Sequence, residues 1–363
     1  MPLKTVTGDH GSAHKGRGAT LNPEGRFETA QRESFDDGWE VPLEDEPARP
    51  RTIVTPERVK TIISRNDSPD IPFSLSINPY RGCEHGCIYC YARPSHAYLN
   101  LSPGIDFETR LFAKVNAAER LREELAKPGH ACSAITIGAN TDGYQPAERE
   151  WKITRSILEV VAACDHPITI ITKNALVERD LDILAPMAAR NLVSVYVSVT
   201  TLDHELARRM EPRASAPARR VEAIRRLAQA GVRVGVMVAP IVPFLTDPET
   251  ETILEAARDA GAGTAGYVLM RLPYELKDLF KDWLMHHYPL KAAHVMSRVR
   301  QMRDGLENDP EFGSRMRGSG EFADLLRMRF DKACKRLGLN EHRPALDVTQ
   351  FKRPRLDGQL GLF

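Results

Sequence analysis

The chain has 363 residues, of which 42% are hydrophobic and 27% charged, and a formal net charge of +1; this is the profile of a globular chain with ample core, not of a disordered or fibrous one. Near-neutrality means that bulk charge alone does not announce a nucleic-acid binder, although residues 1–50 carry six Lys/Arg against ten Asp/Glu and residues 281–363 carry sixteen against eleven, a basic end compatible with phosphate contacts. The N-terminus lacks the apolar core of a secretory leader and no stretch supplies the roughly 20 apolar residues of a membrane span, while six cysteines, three of them in one short stretch, do not form a disulfide framework; a reducing cytoplasm is the expected location.

Residues 1–69 read as an N-terminal arm, largely irregular, with acidic clusters and Gly/Pro punctuation. Within the arm, residues 16–27 combine glycines with Arg17, Arg26 and Phe27, a composition able to dock on a surface. From residue 70 to 272 the pattern changes. Short runs rich in Ile, Val and Thr at 73–79, 134–139, 168–172, 193–200, 232–239 and 266–270 predict strands. Amphipathic stretches at 107–126, 147–164, 176–190, 217–230 and 248–260 predict the helices between them, with Leu111, Val115, Ala118 and Leu125 on one face of the first. Gly231 and Gly261 are positioned as helix caps. Near-continuous apolar strands alternating with helices imply an α/β fold, a partial (β/α)6 TIM-like barrel, with functional loops at the C-terminal ends of the strands. Residues 273–350 form a helical C-terminal extension, with helices expected at 275–287, 290–304 and 321–337, and residues 351–363 a basic, then apolar, tail.

The chemistry is concentrated after the first predicted strand, in Cys83-Glu-His-Gly-Cys87-Ile-Tyr-Cys90. Three thiols at C-x3-C-x2-C spacing can converge on one face of a metal cluster. No fourth cysteine follows at a ligand-like interval, whereas a structural zinc site wants four protein ligands. A zinc knuckle completed by His85 or a distant cysteine is the alternative that the spacing leaves open. Further along, Asn140, Thr141 and Asp142 follow small residues at the end of the second strand, a setting suited to a ligand's ammonium and hydroxyl groups. Lys173 emerges at the end of the third strand, Ser198 lies among β-branched residues in the fourth, and Arg213 offers a planar fork for a carboxylate.

The cysteine spacing, with aromatic Tyr89 just before the last thiol, resembles the signature of the radical S-adenosylmethionine (SAM) family. The resemblance implies that Cys83, Cys87 and Cys90 hold three irons of a [4Fe-4S] cluster and that SAM chelates the fourth. It further implies reductive cleavage of SAM to a 5′-deoxyadenosyl radical, with Tyr89 near the adenine and Asn140, Thr141, Asp142, Lys173, Ser198 and Arg213 as cofactor contacts. Within the family, residues 74–271 are most similar to the spore photoproduct lyase branch: the cysteine loop, Thr172-Lys173, Ser198, Glu211-Pro, and the run from Ala228 to Pro240 carry the likeness. Those lyases place a hydrogen-donating cysteine after the second strand, where this sequence has Asn140, so the chain resembles the related group whose substrate is unassigned. The expected function is radical chemistry on nucleic acid, a DNA-repair-like lyase reaction fed by an electron donor such as flavodoxin or ferredoxin. The alternatives are radical modification of a protein or RNA, and a non-catalytic metal-binding partner protein. The terminal run from Gln359 to Phe363 resembles the short motif that docks on the DNA polymerase sliding clamp; folding back onto its own barrel is the other reading.

Overall fold

The computed structural model describes residues 16–27 and 50–356. Among them the strands, in chain order, are β1 (Ile53–Glu57), β2 (Ile63–Arg65), β3 (Leu75–Ile77), β4 (Tyr80–Arg81), β5 (Arg110–Lys114), β6 (Ile135–Ile137), β7 (Ile168–Thr172), β8 (Val193–Ser198), β9 (Arg233–Ile241) and β10 (Thr264–Leu269). The six expected barrel strands are β3 and β6 to β10. They run parallel in the order β10-β9-β8-β7-β6-β3, and β2 adds an antiparallel edge strand on β3. Helices between the strands cover one face, as right-handed crossovers require. The two end strands, β2 and β10, do not pair, so the barrel is partial and open on one side.

Strand alternation explains why the sheet curves round a polar interior. Ile168 and Ile170, Val193, Val195 and Val197, and Val234, Val236 and Val238 point to the helix layer and are buried in the main core. Their neighbours Thr169, Ser194, Tyr196, Gly235 and Thr264 point the other way and, with residues 343–346 and 348, line a cavity of about 390 Å³ at the N-terminal ends of the strands, away from the mouth. The strands are therefore not continuously apolar, as the sequence suggested; hydroxyls and small residues mark the concave face. Gly235 is needed there, because a Cβ at that position would lie 2.5 Å from the Tyr196 ring.

Three other expectations change. The helix predicted over 107–126 is split: Ile105–Thr109 is helical, β5 follows, and helix resumes at Ala117–Ala126. The reason is a local period of two, with Leu111 and Ala113 fully buried and Val115 44% exposed, which suits pairing with β1 and β4 better than a helical stripe. β1 and β2 likewise lie in the arm read as irregular. The stretch 147–164 breaks at Lys152, which sits at φ 51° between helices Glu148–Trp151 and Ile153–Ala163. No helix among the described residues is long and apolar enough to cross a membrane. The motif from Gln359 to Phe363 lies outside the described residues.

Candidate active site

The cysteine loop leaves the C-terminal end of β3, passes through β4, and folds over the mouth of the barrel. Backbone bonds give it its shape: the amide of Cys83 donates to the Phe107 carbonyl (2.9 Å), Cys90 to Cys87 (3.2 Å) and Ile88 to Met210 (3.0 Å). Arg93, with no exposed surface, holds the loop from beneath. Its guanidinium donates to the carbonyls of Cys87 (2.9 Å), Gly86 (3.1 Å), Pro103 (3.1 Å) and Gly104 (2.9 Å), and to the carboxylate of Glu108 (2.5 Å). Glu108, equally buried, accepts in turn from the backbone amides of Gly18 (3.0 Å) and Ala19 (2.8 Å). Residues 16–20 of the arm are thus strapped against the cysteine loop, so tightly that a Cβ on Gly18 would lie 1.8 Å from the Gly86 carbonyl oxygen.

On the other side of the loop, Glu84 accepts from Thr52 (2.7 Å) and pairs with Arg213 (2.7 Å). Tyr89 turns inward, its ring 5% exposed, and its hydroxyl donates to the buried carboxylate of Glu211, which also accepts from Thr200 (2.7 Å) and pairs with Arg220. Burial pushes the Glu211 carboxyl upward and the guanidinium pulls it back.

Cys83 and Cys87 are buried, Cys90 partly so, and none is in a disulfide. Burial pushes the thiols of Cys83 and Cys87 up; Asp142 and the neighbouring thiols add to the shift at Cys83, and Glu211 to that at Cys87. Two buried thiols that resist ionisation by themselves need a cationic centre to become thiolates. That donor chemistry fits an iron–sulfur cluster. It fits a mononuclear ion poorly, since among the described residues no three His, Cys, Asp or Glu side chains converge as ligands of a single ion. His85 is unavailable as a fourth ligand. Asn174 accepts through its Oδ1 from Leu176 (2.9 Å), so its amide nitrogen donates to His85 Nε2 (3.2 Å), which leaves Nδ1–H facing Asp142 at 3.4 Å. Burial lowers the His85 pKa to about 4, keeping the ring neutral.

The residues singled out in the sequence come to the same mouth but are not equally free. Asp142 is saturated: it accepts from the amides of Tyr144 (2.8 Å) and Lys173 (2.7 Å) and from the Thr172 hydroxyl (2.8 Å), and faces His85. The Thr141 hydroxyl is used on the Tyr80 carbonyl (2.7 Å). Arg213 is committed to Glu84. Asn140 has an exposed side chain, its amide bonded to Asn78 (2.8 Å). The Lys173 ammonium stands 5.7 Å from the Tyr89 ring centroid and forms no ion pair among the described residues. Ser198 ends β8, 3% exposed, on the same side of its strand as Tyr196. The sequence offered no sign of Glu108 or Arg93; residues 16–27 were read as able to dock on a surface, but not where, because their partner Glu108 lies about 90 residues away, and Glu211 was noted only as part of a Glu-Pro pair.

Comparison with known proteins places this geometry. The model of the family described as Radical SAM superfamily matches residues 77–257. An uncharacterized protein of Mycobacterium tuberculosis is 35% identical over 282 residues, covering 77% of this chain and 79% of its own. An uncharacterized protein of Methanocaldococcus jannaschii is 27% identical over 213 residues, 59% of this chain and 76% of its own. Among solved structures, spore photoproduct lyase complexed with dinucleoside spore photoproduct aligns with a TM-score of 0.59 at 17% identity, covering 83% of this chain and 85% of the other. A lyase mutant with bound AdoMet and the same dinucleoside aligns at 0.58 and 17%, covering 83% and 86%. At such identities it is the fold that is shared.

Proposed function

This chain belongs to the radical SAM superfamily, whose enzymes use SAM and an iron–sulfur cluster, and on that premise we propose that Cys83, Cys87 and Cys90 hold a [4Fe-4S] cluster with one iron left for SAM. The observation that carries the reading is the set of three disulfide-free thiols on one loop at the barrel mouth, two buried and Cys90 partly so, with His85 tied up elsewhere. When bound, the cluster supplies the electron that cleaves SAM to methionine and a 5′-deoxyadenosyl radical; flavodoxin or ferredoxin is the proposed reductant. The chain's own part is binding, orientation and exclusion of water. Arg93 and Glu108 fix the loop from below, and the strap keeps water from its outer side. Lys173, free of carboxylate partners, binds the methionine carboxylate, with Ser198 and Asn140 flanking the nucleoside. Asp142 acts as a positioning residue: it orients His85 and ties the end of β6 to that of β7. Thr141 and Arg213 likewise shape the mouth instead of touching SAM.

The proposed substrate is nucleic acid, supported by the fold shared with a lyase solved in complex with a dinucleoside lesion. The reaction differs from that of the lyases in its last step. Asn140 stands where the resemblance places a hydrogen-donating cysteine; Cys132 and Cys164 precede the N-terminal ends of β6 and β7, and Cys334 lies in the outer helix Gly320–Leu337. Hydrogen must therefore return to the product from another donor.

Anaerobic reconstitution with iron and sulfide is the test. The expected result is a brown protein that forms 5′-deoxyadenosine from SAM and dithionite, with both properties lost on replacing any of the three cysteines by alanine. A colourless protein whose thiols enclose one zinc ion would overturn the reading. Lys173→Ala should weaken SAM binding about tenfold, the worth of one charge-assisted hydrogen bond; an unchanged titration would place the carboxylate elsewhere.

A further inference from the structure

The open side of the barrel lies between the unpaired edges β10 and β2, and the segment 306–319 spans it. On the β10 side the Leu269 amide donates to the Met316 carbonyl (3.0 Å). Fully buried Arg303 pins the segment to the strand end, bonding the carbonyls of Met270 (2.8 Å) and Arg315 (2.8 Å). On the other side Arg315 donates in a fork to Asp70, Nη2 to Oδ1 (2.6 Å) and Nε to Oδ2 (2.8 Å), in the turn between β2 and β3.

Arg271 stands just beyond the C-terminal end of β10, inside this frame. Among the described residues its Nη1 meets only the thioether of Met316, at 3.6 Å, and its Nε is buried with no partner. A sulfur is a weak acceptor, and a buried, unbonded guanidinium N–H is costly. Burial and then the charge of Arg315 lower the Arg271 pKa, Asp70 and Asp309 pull it partly back without bonding to Arg271, and Asp70 is held by Arg315. Across the mouth, within electrostatic reach of Arg271, Tyr91 follows Cys90 and donates its hydroxyl to the Ala139 carbonyl at the end of β6. A cation left short of acceptors beside the proposed radical centre is a site built for an anion that arrives from outside.

We propose that Arg271 binds a backbone phosphate of the nucleic-acid substrate at the mouth of the barrel, and so sets the distance of the reacting nucleotide from SAM. The planar fork of arginine matches two phosphate oxygens at once. The inference rests on the nucleic-acid reading above.

The test is fluorescence anisotropy of a short labelled oligothymidylate titrated with full-length protein over a series of KCl concentrations. The wild type is compared with Arg271→Met, with Arg271→Lys, and with Arg327→Met as a control on an exposed helix face. Arg271→Met should bind about tenfold more weakly, and its dependence on salt should flatten by about 0.7 in the log–log slope, the share of one single-strand phosphate. Arg271→Lys should keep the slope and recover part of the affinity, and Arg327→Met should match the wild type. If the wild type binds and Arg271→Met binds equally with the same slope, the assignment of Arg271 is wrong while the nucleic-acid reading stands. If the wild type binds no oligonucleotide, deoxy or ribo, the nucleic-acid reading falls and the assignment with it.

Discussion

Two groups of arginines frame the barrel mouth, and they are partnered in opposite ways. Beneath the cysteine loop, Arg93 and Arg220 are sealed from solvent, and each meets a sealed carboxylate, Glu108 or Glu211, in addition to backbone carbonyls. Along the open side Arg315 alone meets a carboxylate, that of Asp70, while buried Arg303 meets carbonyls and Arg271, the one left to receive a ligand among these three, meets little more than a thioether. Charge neutralised inside the protein is fixed structure, since a buried pair cannot separate without exposing an uncompensated ion. Charge left unneutralised is spare capacity for a ligand. The difference divides the mouth into a rigid half that would hold the cofactors and a receptive half that faces the substrate.

The contrast can be broken most forcefully at Glu108. Glu108→Gln should leave Arg93 buried without its counter-ion and cost about 3–5 kcal/mol of stability, measured by urea unfolding; a cost below about 1 kcal/mol would show that the carbonyls alone suffice and erase the distinction. Gly18→Val comes next. The added Cβ meets backbone instead of a flexible side chain, so the strap should detach, at about 1–3 kcal/mol, and residues 16–27 should be cut earlier in limited proteolysis; unchanged cleavage would mean the strap does not depend on that contact.

On the receptive side, Arg271→Met should change the unfolding free energy by less than about 1 kcal/mol, in either direction, because it removes a poorly satisfied charge instead of half a pair. A loss as large as that of Glu108→Gln would make Arg271 structural. The smallest effect concerns Asp70. The hydrogen bonds from Arg315 hold its carboxyl well below the usual carboxylate range. Its folded pKa is thus depressed, so the stabilisation it gives is fully present above the unfolded value near 4 and disappears as the pH falls through the folded value. Between neutral pH and about 5, Asp70→Asn should therefore lower stability by a constant small amount, and the gap from the wild type should close only in stronger acid. A gap that already varies between pH 5 and 7 would mean that another group governs the segment 306–319.

What the sequence determined by itself is what short-range physics encodes. Three thiols within eight residues announce a metal-binding loop however the rest folds, and short runs rich in Ile, Val and Thr located all six barrel strands. Where local periods conflicted it misled: Leu111 and Val115 fit a helical stripe within 107–126, yet pairing with β1 made residues 110–114 a strand. The tertiary structure alone decided which polar residues are free and which are consumed. Asp142, Thr141 and Arg213 look alike on paper to Lys173, but their acceptors and donors come from Tyr80, Glu84, Thr172 and His85, whereas the Lys173 ammonium has no ion-pair partner among the described residues. Glu108 meets the arm 89 and 90 residues away, and Arg271 is defined by partners it lacks. No window of sequence carries such information, because satisfaction of a buried polar group depends on every segment that packs against it.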